Sequence, residues 1–418
     1  MNNIQKLKDK TYRLLRKTQK YTGTDNVYLA KGGFWLTLGQ AISLGAAFLL
    51  AVAFANLLDP TVYGNYKYLL SLFGTLEIFS LVGMKTAVSQ ASARGFEGSF
   101  YTGFKIQLKW GVLGSLAAIG GAGYYWFRGN EILVIPLLLA AVFLPLMNAS
   151  RIYTSFLGGR KLFNFQTKYN IYIQLISAGI MIGTLFLTKN IFWLIAAYLM
   201  SSTFLNYFFY LLTKFKFQPN KNEDAKTLNY AKHLSLIEVI SSIGSYLDKI
   251  LLFNFVGSAQ LAIYSFASLL PEQINNITQN INTLAFPKLA SKSPEEIKAT
   301  IMKKLLKLSF LTALIIVLYI IIAPYFYKIF FPQYSNAVFY SQILIFSLIS
   351  LPTSLLGTVF GAKIMKKELY SLKLVVNFSR IALFFILIPL YGIWGVIFAG
   401  LGAQVISSVF TLFLFKRS

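Results

Sequence analysis

Between Lys307 and Lys328 the chain reads Leu308-Ser309-Phe310-Leu311-Thr312-Ala313-Leu314-Ile315-Ile316-Val317-Leu318-Tyr319-Ile320-Ile321-Ile322-Ala323-Pro324-Tyr325-Phe326-Tyr327, without a single charge. As a helix rising ~1.5 Å per residue, this stretch is ~30 Å long, the thickness of the hydrocarbon core of a bilayer. Lys303, Lys304 and Lys307 crowd one end, whereas Lys328 stands alone at the other. Lys and Arg favour the cytoplasmic side of a membrane. One segment therefore gives both a span and a direction.

The same signature recurs along the whole chain. Apolar stretches long enough to cross a bilayer run over about 33–57, 63–88, 104–127, 132–157, 165–188, 191–213, 231–256, 260–286, 303–330, 336–361, 370–390 and 392–415. The expectation is an all-α integral membrane protein of twelve transmembrane helices. The loops are short, the longest lying near 214–230 and 287–302, and none has room for a soluble domain. The first apolar run is too long for a cleaved signal peptide, so the mature chain is expected to start at Met1.

Composition agrees. Of 418 residues, 56% are hydrophobic, 16% aromatic and only 13% charged, and mean hydropathy is +0.60. Soluble domains run near 45–50% apolar and about 25% charged. Disorder is excluded by the same richness in aliphatic and aromatic residues. The chain has no cysteine and one histidine, His233, so disulfide scaffolds, thiolate metal sites, and zinc or haem chemistry have no ligands to draw on. His233 itself follows Lys232 at a span end and reads as an interfacial residue. No cofactor is expected. No phosphate-binding loop is present for ATP hydrolysis, and the loops carry too few polar groups for a catalytic site, so an enzyme is not expected.

The net charge of +25 comes from 39 Lys and Arg against 14 Asp and Glu. With the N-terminus placed inside, 31 of the 39 basic residues fall in cytoplasmic segments. Four, Lys67, Arg128, Lys189 and Lys328, fall outside, and Lys85, Arg151, Lys249 and Arg380 fall within spans. Such asymmetry orients the chain with both termini in the cytoplasm. It also removes nucleic acid as a partner, since the base is topological. Residues 1–32 form a basic N-terminal segment whose Ile4, Leu7, Leu14 and Leu15 among lysines fit either an amphipathic helix on the anionic inner leaflet or a solvated tail.

An internal repeat divides the spans into two sets of six. At an offset of about 200 residues, Gly64-Asn65-Tyr66 corresponds to Ala262-Ile263-Tyr264, Pro145 to Pro352, Gly158-Gly159-Arg160-Lys161 to Gly361-Ala362-Lys363, and Lys189-Asn190-Ile191-Phe192-Trp193 to Tyr391-Gly392-Ile393-Trp394-Gly395. Units with an even number of spans insert the same way round, with the substrate site between them. The expected domains are an N-lobe over 33–213, a cytoplasmic linker over 214–230 and a C-lobe over 231–418, the lobes pseudo-symmetric around a central cavity.

Polar residues within spans are costly and mark water-filled paths, binding sites or helix contacts. At three- and four-residue spacing, Ser235, Glu238, Ser242, Ser245 and Lys249 form one stripe, with Asp248 beside it; Ser265, Ser268, Glu272, Asn276, Gln279 and Thr283 form another. Shorter runs are Tyr370, Lys373, Asn377 and Arg380; Asn148, Arg151 and Ser155; Asn170, Gln174 and Ser177; and Ser347, Ser350 and Ser354. Glu77 and Lys85 lie in the second span. Arginine is always charged and binds phosphate through two parallel hydrogen bonds. Arg151 and Arg380, with Lys85 and Lys249, are therefore candidate ligands for a phosphate or diphosphate, and Asn377, Asn148, Gln174 and Asn276 for polar groups attached to it. Glu77, Glu238, Asp248 and Glu272 are candidates for ion coupling or for ion pairs lining the cavity, Asp248 with a neighbouring basic residue in particular.

Several segments resemble a known family. Leu58-Asp59-Pro60-Thr61-Val62-Tyr63-Gly64-Asn65-Tyr66 is similar to the "L-x-P-x-x-Y-G-x-Y" stretch before span two of polysaccharide-export flippases. Tyr246-Leu247-Asp248-Lys249-Ile250-Leu251-Leu252 with Ala262-Ile263-Tyr264-Ser265 resembles their "D-K-x-x-L…G-x-Y-S/A" element. Phe286-Pro287-Lys288-Leu289 resembles "F-P-x-L", and Gly392-Ile393-Trp394-Gly395 the "G-x-x-G" before the last span. Ala262 departs from the usual glycine, and Lys85 from a usual small or polar residue. The resemblance, which covers both halves, is to the Wzx-type O-antigen and capsular-repeat flippases of the multidrug/oligosaccharidyl-lipid/polysaccharide (MOP) exporter superfamily. It implies alternating-access translocation of an undecaprenyl-diphosphate-linked oligosaccharide across the bacterial inner membrane, coupled to an ion gradient. It also implies a polysaccharide polymerase and a chain-length regulator as partners. A cation-coupled multidrug exporter of the same fold, and a non-transporting subunit of a polysaccharide-assembly complex, are the alternatives; cationic drugs want a net acidic cavity, which four basic against four acidic in-span residues do not give.

Overall fold

The computed structural model describes residues 26–290, 293–363 and 365–417, and the expected basic helix before residue 26 lies outside them. Among the described residues every regular element is helical. In chain order these are α1 (Asn26–Leu57), α2 (Pro60–Leu76), α3 (Met84–Ala93), α4 (Ser99–Phe127), α5 (Glu131–Ser150), α6 (Ile152–Gly159), α7 (Phe163–Leu187) and α8 (Ile191–Phe217). They continue with α9 (Thr227–Val256), α10 (Ser258–Ala290), α11 (Pro294–Phe330), α12 (Ala337–Leu344), α13 (Leu351–Ala362), α14 (Lys366–Tyr391) and α15 (Ile393–Arg417).

Eight helices or continuous helix pairs are long and apolar enough to cross a membrane, and a ninth joins them if α2 and α3, bent by 53°, form one span. The expected stretches at 104–127, 231–256 and 260–286 are the helices α4, α9 and α10. The first is diluted by glycine, tyrosine and tryptophan, and the other two by the polar stripes. The chain is a multi-pass, all-α membrane protein.

Proline explains where spans break. Pro145 has no N–H to give to the carbonyl of Ala141, and the Ser115 hydroxyl donates to that carbonyl instead. Six residues further on, α5 ends at Arg151 and α6 begins. In the C-terminal unit, Pro352 follows a 3-10 segment over Ile345–Ser350. Freed backbone groups of this kind are tolerated in a membrane when neighbouring hydroxyls satisfy them. The Pro145 break is met in this way, by the Ser115 hydroxyl.

The chain packs into two compact units. The N-terminal unit comprises α1 as far as Ala51, Glu77–Thr188 and Phe192–Leu236; the C-terminal unit comprises Val52–Leu76, Lys189–Ile191 and the chain from Ile237 onward. Residues 52–76, expected within the N-lobe, thus pack with the C-terminal unit, and α9 is divided between Leu236 and Ile237.

In the N-terminal unit the core centres on Val88, Phe100, Tyr153, Phe156 and Tyr210, with Phe100 stacked on Tyr210 at 4.7 Å. The expected linker over 214–230 is helical at both ends: α8 runs to Phe217 and α9 starts at Thr227. Its remainder is tied to the α3–α4 turn. Asn220 exchanges hydrogen bonds with Glu97 (3.0 and 3.2 Å), and its amide donates to the Gly95 carbonyl at 3.1 Å. Arg94 pairs with Asp224 at 2.6 Å and Arg160 with Glu97 at 3.3 Å. Gly95 sits at φ +89°, a conformation that glycine adopts without a Cβ penalty.

In the C-terminal unit α2 lies on α10 with almost no space between them. A Cβ on Gly64 would stand 1.9 Å from the carbonyl oxygen of Ser258, so only glycine fits. Around this contact Tyr63 stacks on Phe266 at 4.6 Å, and Phe266 on Tyr334 at 4.0 Å. Tyr68 stacks on Phe253 of α9 at 3.7 Å, while Asn254 donates to the Tyr68 hydroxyl at 3.2 Å. These rings hold α2, α9 and α10 together, and that arrangement positions the site.

Candidate functional site

The stripes of α9 and α10 meet across a cavity of about 730 Å³ inside the C-terminal unit, closed by α14 and α15. Five of the expected residues line it: Asp248, Lys249, Glu272, Asn276 and Arg380. Glu272 and Asn276 are exposed to the cavity, Lys249 and Arg380 are half-buried, and Asp248 is buried. Its volume lies in the range, about 300–1,000 Å³, of small-molecule sites.

Asp248 was expected to pair with a basic neighbour. Its partner is instead Tyr264, whose hydroxyl donates to Oδ2 at 2.8 Å, and Oδ1 has no hydrogen-bond partner. Lys249 follows Asp248 in the same turn of α9 and lines the same cavity. Among the described residues, no salt bridge involves Asp248, Lys249, Glu272 or Arg380. The charges of this cavity are therefore near one another without neutralising one another directly.

One basic residue of this cluster escaped the sequence reading. Lys67, counted with the outer loops, lies within electrostatic range of Lys249 and Glu272, its ammonium 5.4 Å from the Tyr63 ring centroid. Helical spacing held the signal: Lys67 is four residues after Tyr63 and three after Gly64, on the buried face of α2. With it the cluster holds three basic residues, Lys67, Lys249 and Arg380, and two acidic ones, Asp248 and Glu272.

The other expected residues of this unit lie at the margin. Asn377 is 3.9 Å from where a Cβ on Gly244 would be, Gly244 being part of the cavity wall. Glu238 is half-buried further back on α9 and does not line the cavity.

The remaining five fall in the N-terminal unit. Lys85 was expected as a substrate ligand; its ammonium is 2.6 Å from a Glu77 carboxylate oxygen, an ion pair within the unit. Arg151 lies within electrostatic range of Glu77. The bend explains the pairing: a 3-10 turn over Glu77–Ser80 and Leu81 at φ +57° fold the chain back, so residues eight apart meet. Asn148 is 3% exposed with Oδ1 unpartnered, whereas Gln174 is exposed on α7. Gln107, which the sequence reading passed over, is fully buried in α4 with neither amide atom hydrogen-bonded.

A helical membrane fold with a charged internal cavity defines a class, and comparison with known proteins specifies it. A solved structure of lipid II flippase MurJ in an inward closed conformation superposes with a TM-score of 0.69 at 18% identity, over 91% of this chain and 87% of that one. An inward-facing multidrug-resistance MATE-family transporter of the MOP superfamily gives 0.66 at 12% identity, over 90% and 95%. A MOP-superfamily transporter from Pyrococcus furiosus, described as having a binding pocket of reverse polarity, gives 0.58 at 12%, over 92% and 96%. The fold is that of the MOP-superfamily transporters. No curated protein matches the sequence. Residues 53–339 match the polysaccharide biosynthesis protein family, and the chain belongs to that family.

Proposed function

We propose that this protein moves a polyprenyl-diphosphate-linked oligosaccharide, an O-antigen or capsule repeat unit, from the inner to the outer leaflet of a bacterial cytoplasmic membrane by alternating access. The observation that carries this reading is the cavity lined by Lys249 and Arg380, with Lys67 within electrostatic range of Lys249, against only Asp248 and Glu272. A diphosphate supplies the negative charge that this base excess lacks. Arg380 holds it through paired hydrogen bonds, and the two ammonium groups attract it as point charges. A cationic drug meets the wrong sign here, so the multidrug-exporter reading is disfavoured.

Asp248 and Glu272 are the groups placed to couple transport to an ion gradient. Asp248 has one unpartnered carboxylate oxygen at the cavity, a position that takes up a cation or proton when the diphosphate leaves. In the N-terminal unit, Arg151 beside the Glu77–Lys85 pair provides a second cationic position for the moving substrate. In this reading both termini are cytoplasmic, and the basic span ends lie against the anionic inner leaflet.

The test is replacement of Arg380 and Arg151, singly, by alanine in cells whose surface polysaccharide depends on this gene. Loss of surface polymer with accumulation of lipid-linked repeat units, at matched protein levels, is the expected result. Normal polymer in both variants removes these arginines from the mechanism.

A further inference from the structure

A second chamber of about 540 Å³ adjoins the charged cavity in the C-terminal unit and shares Asn275, Asn276 and Gln404 with it. The two chambers differ sharply in chemistry. The first is lined by Asp248, Lys249, Glu272 and Arg380. None of the described residues lining the second is ionisable; its polar groups are amides and hydroxyls, among them Asn282, Thr353, Ser354, Ser407 and Thr411.

Side-chain amides and hydroxyls both donate and accept hydrogen bonds, as sugar hydroxyls do. An apolar ligand would strand many of these groups unpaired, at about 1–3 kcal/mol each. An ionised ligand would leave a charge without a counter-charge. The walls are also held in place. Ser354 donates to the Leu351 carbonyl at 2.6 Å and accepts from the Asn282 amide nitrogen at 2.8 Å. This fixes the Asn282 amide with its carbonyl oxygen buried and unpartnered, an acceptor awaiting a donor. The Thr353 and Ser408 hydroxyls are 3.0 Å apart, which joins α13 to α15 beside the chamber.

We propose that this second chamber is a glycan subsite that takes the uncharged sugars of the substrate while the first chamber holds the diphosphate. The inference rests on the flippase reading and narrows it: the sugars next to the diphosphate carry hydroxyl or acetamido groups, and neither carboxylate nor amine. The continuity of the chambers through Asn275, Asn276 and Gln404 fits a covalent link between the two parts of one ligand.

The test uses the purified full-length protein in lipid nanodiscs and measures the Kd of four probes. They are a polyprenyl diphosphate, the same lipid bearing a neutral N-acetylhexosamine disaccharide, the same lipid bearing a uronic acid disaccharide, and the free neutral disaccharide as its methyl glycoside. The neutral glycolipid is expected to bind about tenfold more tightly than the bare diphosphate. Asn282→Leu and Ser407→Ala, each with thermal unfolding like that of the parent, bring it down to the level of the bare lipid. The uronic acid lipid gains nothing. A sugar increment that survives both variants, or an equal gain from the uronic acid lipid, overturns the subsite. Absence of diphosphate binding, with the methyl glycoside still bound and lost in Asn282→Leu, sinks the flippase reading while upholding the chamber; absence of binding by all four probes overturns both.

Discussion

Replacing Gly64 by alanine tests the contact on which the charged cavity depends. The new Cβ would lie 1.9 Å from the Ser258 carbonyl oxygen, 2.5 Å from its carbon and 2.9 Å from its Cα. Ordinary C···O contacts lie at ~3.3–3.6 Å, so α2 and α10 must separate by about 1.4 Å. The obstacle is backbone, so no side-chain rotation relieves it. Separation loosens the stacks of Tyr63 on Phe266 and of Tyr68 on Phe253, and gaps of ~0.5–1 Å already forfeit a quarter to a half of each dispersion contact. Overpacking typically costs ~1–3 kcal/mol, and a backbone clash belongs at the top of that range. At roughly 2–4 °C per kcal/mol, the midpoint of thermal unfolding falls by roughly 6–12 °C. The assay is thermal unfolding of purified protein in detergent followed by circular dichroism, with Gly179→Ala as control. Gly179 is also helical, but nothing lies within 4 Å of its added Cβ, so that change is neutral or stabilising by about 0.5–1 kcal/mol. Because Lys67 is carried one turn beyond Gly64, transport also falls in Gly64→Ala. A midpoint within 2 °C of the parent's, a threshold set at about 1 kcal/mol or less, would refute the close packing and the placement of Lys67 that follows from it.

Other residues give separate tests. Lys67→Ala lowers transport as Lys249→Ala does, whereas Lys328→Ala, at the end of α11, leaves it unchanged; equal behaviour of all three in a transport assay would remove Lys67 from the site. Glu77→Gln strands the Lys85 ammonium and costs about 1–2 kcal/mol, reduced from ~3–5 for a fully buried pair because both side chains keep some exposure. The double change Glu77→Gln with Lys85→Met restores the unfolding midpoint, and transport measured on that double variant separates an architectural pair from one used on substrate. The Asp224 carboxyl, outside the spans, is held below its usual range first by the Lys226 backbone N–H and then by Arg94. A depressed pKa stabilises the fold above the unfolded value, and that contribution is lost as pH falls through the folded value. Asp224→Asn is therefore less stable than the parent at pH 7, and the difference shrinks below pH ~4; a difference independent of pH would contradict this.

The membrane class, the helices and the residues of the charged cavity were legible because each rests on local pattern. Of the α9 stripe, Ser245 and Lys249, with Asp248 beside them, line the cavity. Lys67 was misplaced because it lies only four residues after the expected start of its span at 63, so that topology alone assigns it to the outer side, whereas α2 begins at Pro60 and Gly64 brings the middle of that helix against α10. Lys85 was read as a free ligand because the reversal at Glu77–Leu81, with Leu81 at positive φ, has no sequence signature in a residue other than glycine. The second chamber was half visible. Asn276 and Ser354 had been singled out, but Gln404, Ser407 and Thr411, at the same helical spacing on α15, had not, and only packing brings them opposite Asn282.

The central claim is transport of a lipid-linked oligosaccharide through the basic cavity. The direct measurement places the purified protein in vesicles with such a lipid bearing a labelled glycan, and follows transfer of the glycan between leaflets through its accessibility to an impermeant glycosidase. The account predicts protein-dependent transfer that Arg380→Ala abolishes and the parent protein sustains. Transfer unaffected by Arg380→Ala, or no transfer above that of protein-free vesicles, would contradict it.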